Sequence, residues 1–462
     1  MNGKSAKLPI PAGVVKDLLS KSLSRTFNEQ VEITDFTAER LSIVGRKSDV
    51  YKLDLLFDFP GRVFSLPPVV AAKFYLLDHT EDITTKAEIQ TEYNTEKQML
   101  GLSDDLVCRV EDKEVRVLQR FFSEKVGECD DHLALIREFA PEDSLSAIVL
   151  GKQKKQEDVH WTDINGTIFP LALLHLYDLW IRERVVLPEH GPGWVSDTAV
   201  THLRRIANHI NREDLEEDLA KELKGGFMKI FTKYLSNPGL IRVINGDLNV
   251  SPRHATKGRL LDAGRSSIGQ VTDDLALYSD QLFNNVLDSK DKVMGLCARG
   301  KSAIGDYIAC YNTLAEILYY PEFPKGISKD FLMMSFLASA LRGNLKGASA
   351  SLVYGNRFLE QPNLTETGRK RASENYAAGV YDSIRLLGEL GDTEDRITLI
   401  NLSTQIRNAG LNSPSPYEHE TIRPQRCPRA LETQYGAYWR KHTRPENSKK
   451  PQHKTPYTKE PA

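Results

Sequence analysis

The sequence predicts an α+β chain of two lobes, a small β-rich one followed by a larger, mainly helical one. Three observations carry that expectation. At 462 residues the chain exceeds what one hydrophobic core usually supports. Up to about residue 122 the apolar residues largely alternate as in strands, and from about Leu133 they recur at helical spacing. Within the helical part, two short apolar segments each carry an aspartate beside a glycine, Ile244-Asn245-Gly246-Asp247-Leu248 and Leu260-Leu261-Asp262-Ala263-Gly264.

Residues 1–30 read as a leader helix, with Val14, Val15, Leu18, Leu19 and Leu23 on one face. The first lobe is placed at 31–122. It opens with a strand–turn–strand, Ile43 to Leu53, whose turn holds Gly45 and Ser48. Val69 to Tyr75 is an apolar strand interrupted by Lys73, which either serves a site or points to water from an edge. Thr85 to Leu102 is helical, with Glu92, Glu96, Met99 and Leu100 on related faces, and Val115 to Phe122 reads as a strand running into a hinge.

The helical lobe is placed at 123–412. Ile168–Arg184 has an apolar face (Ile168, Leu171, Leu174, Leu179, Ile181), His202–Leu223 is amphipathic, and Phe227–Leu235 leads into a hairpin at 243–264. Thr256-Lys257-Gly258 is the turn of that hairpin. Ala303–Tyr320, Lys329–Leu341 and Glu374–Leu390 follow as helices, whose Tyr319, Tyr320 and Tyr376 either line a pocket or belong to the core. Gly151–Asp158 is a charged, solvated insertion. The proline-punctuated, basic residues 413–462 lack the apolar groups to offset ordering entropy, and disorder is expected there. Tyr435-Gly436-Ala437-Tyr438-Trp439 is the exception, an aromatic patch expected to dock on the helical lobe, the alternative being to stack on a nucleic-acid base or a partner.

A hairpin over 243–264 brings Asp247 and Asp262 to one end of a small sheet. That suits phosphoryl transfer, in which one carboxylate orients the attacking hydroxyl and the other holds Mg²⁺ against the phosphates. The plainer alternative is a surface hairpin with two solvated aspartates.

Asp274-Leu275-Ala276 follows at the start of a further helical pattern. The order Gly-Asp-Leu, Leu-Asp-x-Gly, Asp-Leu-Ala resembles the catalytic core of the aminoglycoside phosphotransferase and choline kinase group of the protein-kinase-like superfamily. The resemblance implies a two-lobed protein-kinase-like fold, with ATP and Mg²⁺ as cofactors and a small-molecule hydroxyl as acceptor. It implies Asp247 as the catalytic residue and Asp262 as a metal ligand. Gly45 and Ser48 would cover the phosphates, and Lys73 would hold them, braced by Glu96 or, one turn earlier, Glu92. Three departures stand out: Asn245 replaces the family histidine, Ala263 the phenylalanine and Pro252 the metal-binding asparagine. Proline offers no ligand atom, so Asn249 or His254 fills the second metal position, or one Mg²⁺ suffices.

Composition narrows the remaining classes. Apolar residues make up 40% and charged ones 27%, as in a soluble globular protein. The net charge of −2 gives no overall attraction to nucleic acid or to an anionic membrane, which leaves the tail as the basic segment. No signal peptide or membrane-length apolar run is seen, and the five cysteines are scattered as reduced thiols in a cytoplasmic protein would be. Two functions stay open: a phosphotransferase acting on a small-molecule hydroxyl, and a kinase-like pseudoenzyme that binds nucleotide or a protein partner.

Overall fold

The computed structural model describes residues 6–27, 30–41, 48–58, 68–76, 86–110, 113–118, 132–139, 155, 166, 168–211, 213–246, 255–256, 259–260, 262–277, 296–354 and 366–412. The first lobe is built on four antiparallel strands, β1 (Glu32–Arg40), β2 (Ser48–Asp58), β3 (Val69–Leu76) and β6 (His132–Glu138), in the order β1-β2-β3-β6. β3 is central and apolar on both sides, as a strand covered on both faces must be. Its Val70, Ala72 and Phe74 pack with Ala134 and Ile136 of β6, with Leu53 of β2 and with α1 (Ala12–Phe27). The helix expected as a separate leader is therefore the outer layer of this lobe. Its Val15, Leu18, Leu19 and Leu23 are buried, and each such side chain contributes about 1.5–3 kcal/mol.

The other face of the sheet looks inward. Tyr75 of β3 and Leu133 and Leu135 of β6 join Ile89, Tyr93, Met99 and Leu100 of α2 (Lys86–Gly101) in the core that continues through the helical lobe.

The sheet extends past the boundary at 122. β6 lies ten residues beyond it, because a run as short as Leu133–Ile136 reads equally well as strand or helix. The segment expected as the strand before the hinge, Val115–Phe122, divides differently. β5 (Lys113–Arg116) pairs with β4 (Val107–Val110) in a hairpin apart from the main sheet. Val117 and Leu118 are buried after it, and Phe121 and Phe122 lie outside the described residues.

In the helical lobe, α3 (Ile168–Leu176) is buried along its whole length. α4 (Asp178–Arg182), α5 (Pro192–Asn211) and α6 (Glu217–Tyr234) follow. Leu179, counted on the apolar face, is 66% exposed instead. The amphipathic run 202–223 is two helices, joined where Arg204 bridges Asp214 and Glu217. Next come β7 (Ile241–Ile244), the hairpin β8 (Ala255–Thr256) and β9 (Arg259–Leu260), then β10 (Ser267–Gln270), which pairs with β7. Helix α7 starts at 271 and is described to 277, and α8 (Leu296–Leu318), α9 (Lys329–Tyr354), α10 (Glu366–Leu390) and α11 (Thr393–Asn408) follow.

Of the three tyrosines left open, Tyr376 is core, pressed against α9 where a Cβ at Gly347 would lie 2.3 Å from its ring. Tyr320 packs edge-on against Tyr177 with the centroids 6.0 Å apart, and Tyr319 is exposed. Among the described residues no helix is long and apolar enough to cross a membrane. The charged insertion and the 413–462 tail, with its aromatic patch, fall outside the described residues except for Lys155.

Two measurements test this packing. Leu19→Ala should lower stability by about 3 kcal/mol with an unchanged denaturant slope, since it opens a cavity between α1 and the sheet. His202 on α5 is buried, and burial, then Arg205, Lys346, Arg342 and Arg265, push its pKa from 6.5 down to about 3. The folded imidazole stays neutral below 6.5 while the unfolded one takes up a proton, so stability falls as pH drops through this window. Between 6.5 and about pH 5 this histidine should account for about 2 kcal/mol, a share that disappears in His202→Asn.

Candidate active site

Alternation along β3 and its register with β6 put Ala71, Lys73 and Tyr75 on one face with Leu133, Leu135 and Arg137. α2 lays Glu96 against that face. The Lys73 ammonium lies 2.7 Å from Glu96 Oε2, and an Arg137 Nη donates to Glu96 Oε1 at 2.7 Å. The Tyr75 hydroxyl also donates to Glu96 Oε2. All these side chains are buried, and the Glu96 carboxylate is wholly so. Burial pulls the Lys73 pKa down, yet Asp262, Glu96 and Glu92 outweigh it and raise it, so it is a cation. Burial and the same carboxylates raise the Tyr75 pKa well above its ordinary value, which keeps it a donor.

The second carboxylate on Lys73 comes from the helical lobe. Both Asp262 oxygens lie 3.2 Å from Nζ, and the Gly264 N–H donates to Oδ1 at 3.1 Å. Gly264 allows this approach: a Cβ there would lie 2.8 Å from Glu92 Cγ and 3.3 Å from the Tyr75 hydroxyl. Glu92, the alternative partner for Lys73, instead has Arg265 Nε at 3.6 Å from Oε2.

The turn after β7 is pegged from below. The N–H groups of Asn245 and Gly246 donate to the two oxygens of buried Asp274, at 2.7 and 2.9 Å. Gly246 has φ +75°, and a Cβ there would lie 2.4 Å from the Arg265 carbonyl oxygen, so glycine is required. Asn245 Nδ2 donates to the Asp262 carbonyl at 2.6 Å, while its buried Oδ1 has no hydrogen-bond partner among the described residues. Asp273 faces the other way, accepting from Ser339 at 2.6 Å and Arg342 at 2.9 Å on α9. Burial raises its pKa, against the pull of Arg342 and Ser339.

Of the residues singled out in the sequence, the structure brings Lys73, Glu96 and Asp262 together. Ser48 begins β2 opposite Tyr75. Gly45, Asp247, Asn249, Pro252 and His254 lie outside the described residues; of the expected hairpin the structure gives 243–246, β8, β9 and 262–264, and β7 pairs with β10. Sequence reasoning missed Tyr75 and Arg137 as partners of Glu96. Tyr75 was within reach, two residues from Lys73 on the same strand face. Asp274 was read as part of a motif, without its role as the peg. Among the described residues no group of three His, Cys, Asp or Glu side chains is placed to hold a metal.

No family model and no curated protein matches the chain. Among solved structures, a choline kinase from Cryptosporidium parvum Iowa II aligns with a TM-score of 0.49 and 10% identity, over 87% of this chain and 99% of that one. A Plasmodium vivax ethanolamine kinase aligns at 0.39 and 12% identity, covering 74% and 81%. An ADP-bound aminoglycoside phosphotransferase aligns at 0.38 and 11% identity, covering 78% and 98%. Likeness at this level leaves function to the chain's own residues.

Asp274→Asn keeps the volume of the peg but leaves one oxygen to serve two backbone donors. It should cost about 2 kcal/mol in denaturant unfolding, the penalty of an unsatisfied buried N–H. Gly246→Ala should cost at least about 2 kcal/mol through strain at positive φ.

Proposed function

We propose that the chain is an ATP- and Mg²⁺-dependent phosphotransferase acting on the hydroxyl of a small molecule. The single observation that carries this reading is Lys73 held between Glu96 on α2 and Asp262 on the turn after β9. A buried lysine fixed by one carboxylate and facing a second is the arrangement phosphoryl transfer needs, a fixed cation for the phosphates beside a carboxylate for a metal. A surface hairpin with solvated aspartates would not bury its partner cation.

In this reading Lys73 holds the phosphates, and the Gly45–Ser48 turn covers them. Asp247 accepts the proton of the acceptor hydroxyl as its oxygen bonds to the γ-phosphorus, and the bond from that phosphorus to the bridging oxygen breaks to release ADP. The Asp262 carboxylate is a hard oxygen donor of the kind Mg²⁺ prefers, as is Asn245 Oδ1, which has no hydrogen-bond partner among the described residues, with Asn249 as a further ligand from the sequence. Bound there, Mg²⁺ would neutralise phosphate charge. A small acceptor is favoured over a protein one because β10 starts at Ser267 and α7 at 271, which leaves no length for an extended activation segment after Gly264.

The second reading, a pseudoenzyme that binds nucleotide or a partner without turnover, is favoured by Asn245, Pro252 and Ala263. Thermal melting with ATP, with and without Mg²⁺, followed by phosphate-release assays, separates the two. ATP with Mg²⁺ should raise the melting temperature, by the equivalent of about 2.7 kcal/mol at 100-fold excess over Kd. Asp262→Asn should remove the Mg²⁺-dependent part of that shift. Asp247→Asn should keep the shift and lose turnover. If no nucleoside triphosphate shifts the melt, both readings fail; a shift without turnover selects the pseudoenzyme.

A further inference from the structure

We propose that Arg137 is a positioning residue of the phosphate site: it secures the Glu96 carboxylate so that Lys73 can exchange its contact with Asp262 for a nucleotide phosphate. The proposal rests on the nucleotide reading above. Arg137 stands opposite Ala71 in the β3–β6 register, two residues along from Leu135, which faces Lys73. Its guanidinium therefore reaches Glu96 from the same sheet face as Lys73, and the two cations divide the carboxylate. Arg137 takes Oε1 at 2.7 Å, while Lys73 shares Oε2 with the Tyr75 hydroxyl.

The charge balance explains what this does. Arg137, Glu96, Lys73 and Asp262 form a row of alternating sign, three of them with side chains at most 4% exposed. With Lys73 as its sole counter-charge, buried Glu96 would hold the ammonium tightly and would be left poorly compensated whenever part of that charge was drawn toward a phosphate. Arg137 and Tyr75 stay with Glu96 through that exchange. Without Arg137, Glu96 would draw on Lys73 alone, and the phosphates would compete against a tighter ion pair. Arg137 thus acts on the ligand through Glu96 and Lys73.

Calorimetric titration of the full chain tests this with two ligands, ATP with Mg²⁺ and adenosine, which carries no phosphate. Arg137→Met should weaken ATP binding about tenfold and leave adenosine unchanged, and Arg137→Lys, which keeps the charge, should recover most of the loss. KM for ATP should rise with Kd while kcat changes by less than about twofold, as expected when ground-state and transition-state binding are lost together. In a Glu96→Gln background, Arg137→Met should add no further loss. A merely structural arginine would lower stability and leave the ATP-to-adenosine ratio alone; that ratio unchanged, or a full effect surviving in Glu96→Gln, overturns the proposal. Should Arg137→Met not fold, Arg137→Gln, which removes the charge and keeps a polar side chain, decides: its ATP-to-adenosine ratio falls, or the proposal does. A wild-type chain that binds adenosine but not ATP, or neither, overturns the nucleotide reading itself and this proposal with it.

Discussion

The buried Glu96 carboxylate is the constraint on which the rest of the structure depends. A carboxylate removed from water costs several kcal/mol unless cations and donors surround it. Here they come from β3, through Lys73 and Tyr75, and from β6, through Arg137. Two strands some sixty residues apart are thus held to α2 by one anion. Lys73 then carries the requirement onward to Asp262 and so to the other lobe.

At the far end of that row, positioning is done by backbone rather than by charge. Asp274 holds two successive N–H groups of the turn after β7, and Asn245 holds the Asp262 carbonyl. Asn245 and Gly246 after β7 and Asp262 after β9 are therefore fixed to each other and to α7, while Asp273 ties α7 to α9. The glycines at 246 and 264 sit where a side chain would collide with a neighbouring backbone or with α2. Rigid elements with small residues at the points of closest approach hold a site more precisely than loops do.

Much of this was legible in the sequence. Lys73 stood out as a lone cation in an apolar strand, and Asp262 and Asp274 as carboxylates in an ordered series of short motifs. α1 was legible from its apolar stripe, although not its place, since a stripe says what a helix buries and not against what. β6 was hidden because four apolar residues carry too little periodicity to separate strand from helix. Arg137 was hidden for a related reason: its meaning lies in a pairing between strands some sixty residues apart, and register of that kind leaves no local mark. Asp274 shows the opposite case, a residue found by pattern whose work, receiving two backbone donors, no pattern states.

The two faces of β3 belong to different cores. Val70, Ala72 and Phe74 pack with α1, whereas Tyr75 packs with residues that run on through α3 and α9. The strand that carries Lys73 is in effect a shared wall. Loss of the α1 layer would strip one side of it and leave the other side, with its ion pairs, still attached to the helical lobe. Local opening should therefore spread unevenly, with amides of α1 and β1 exchanging through partial openings and those of β3 only when the larger core gives way. Lys73 is thereby insulated from fraying of α1.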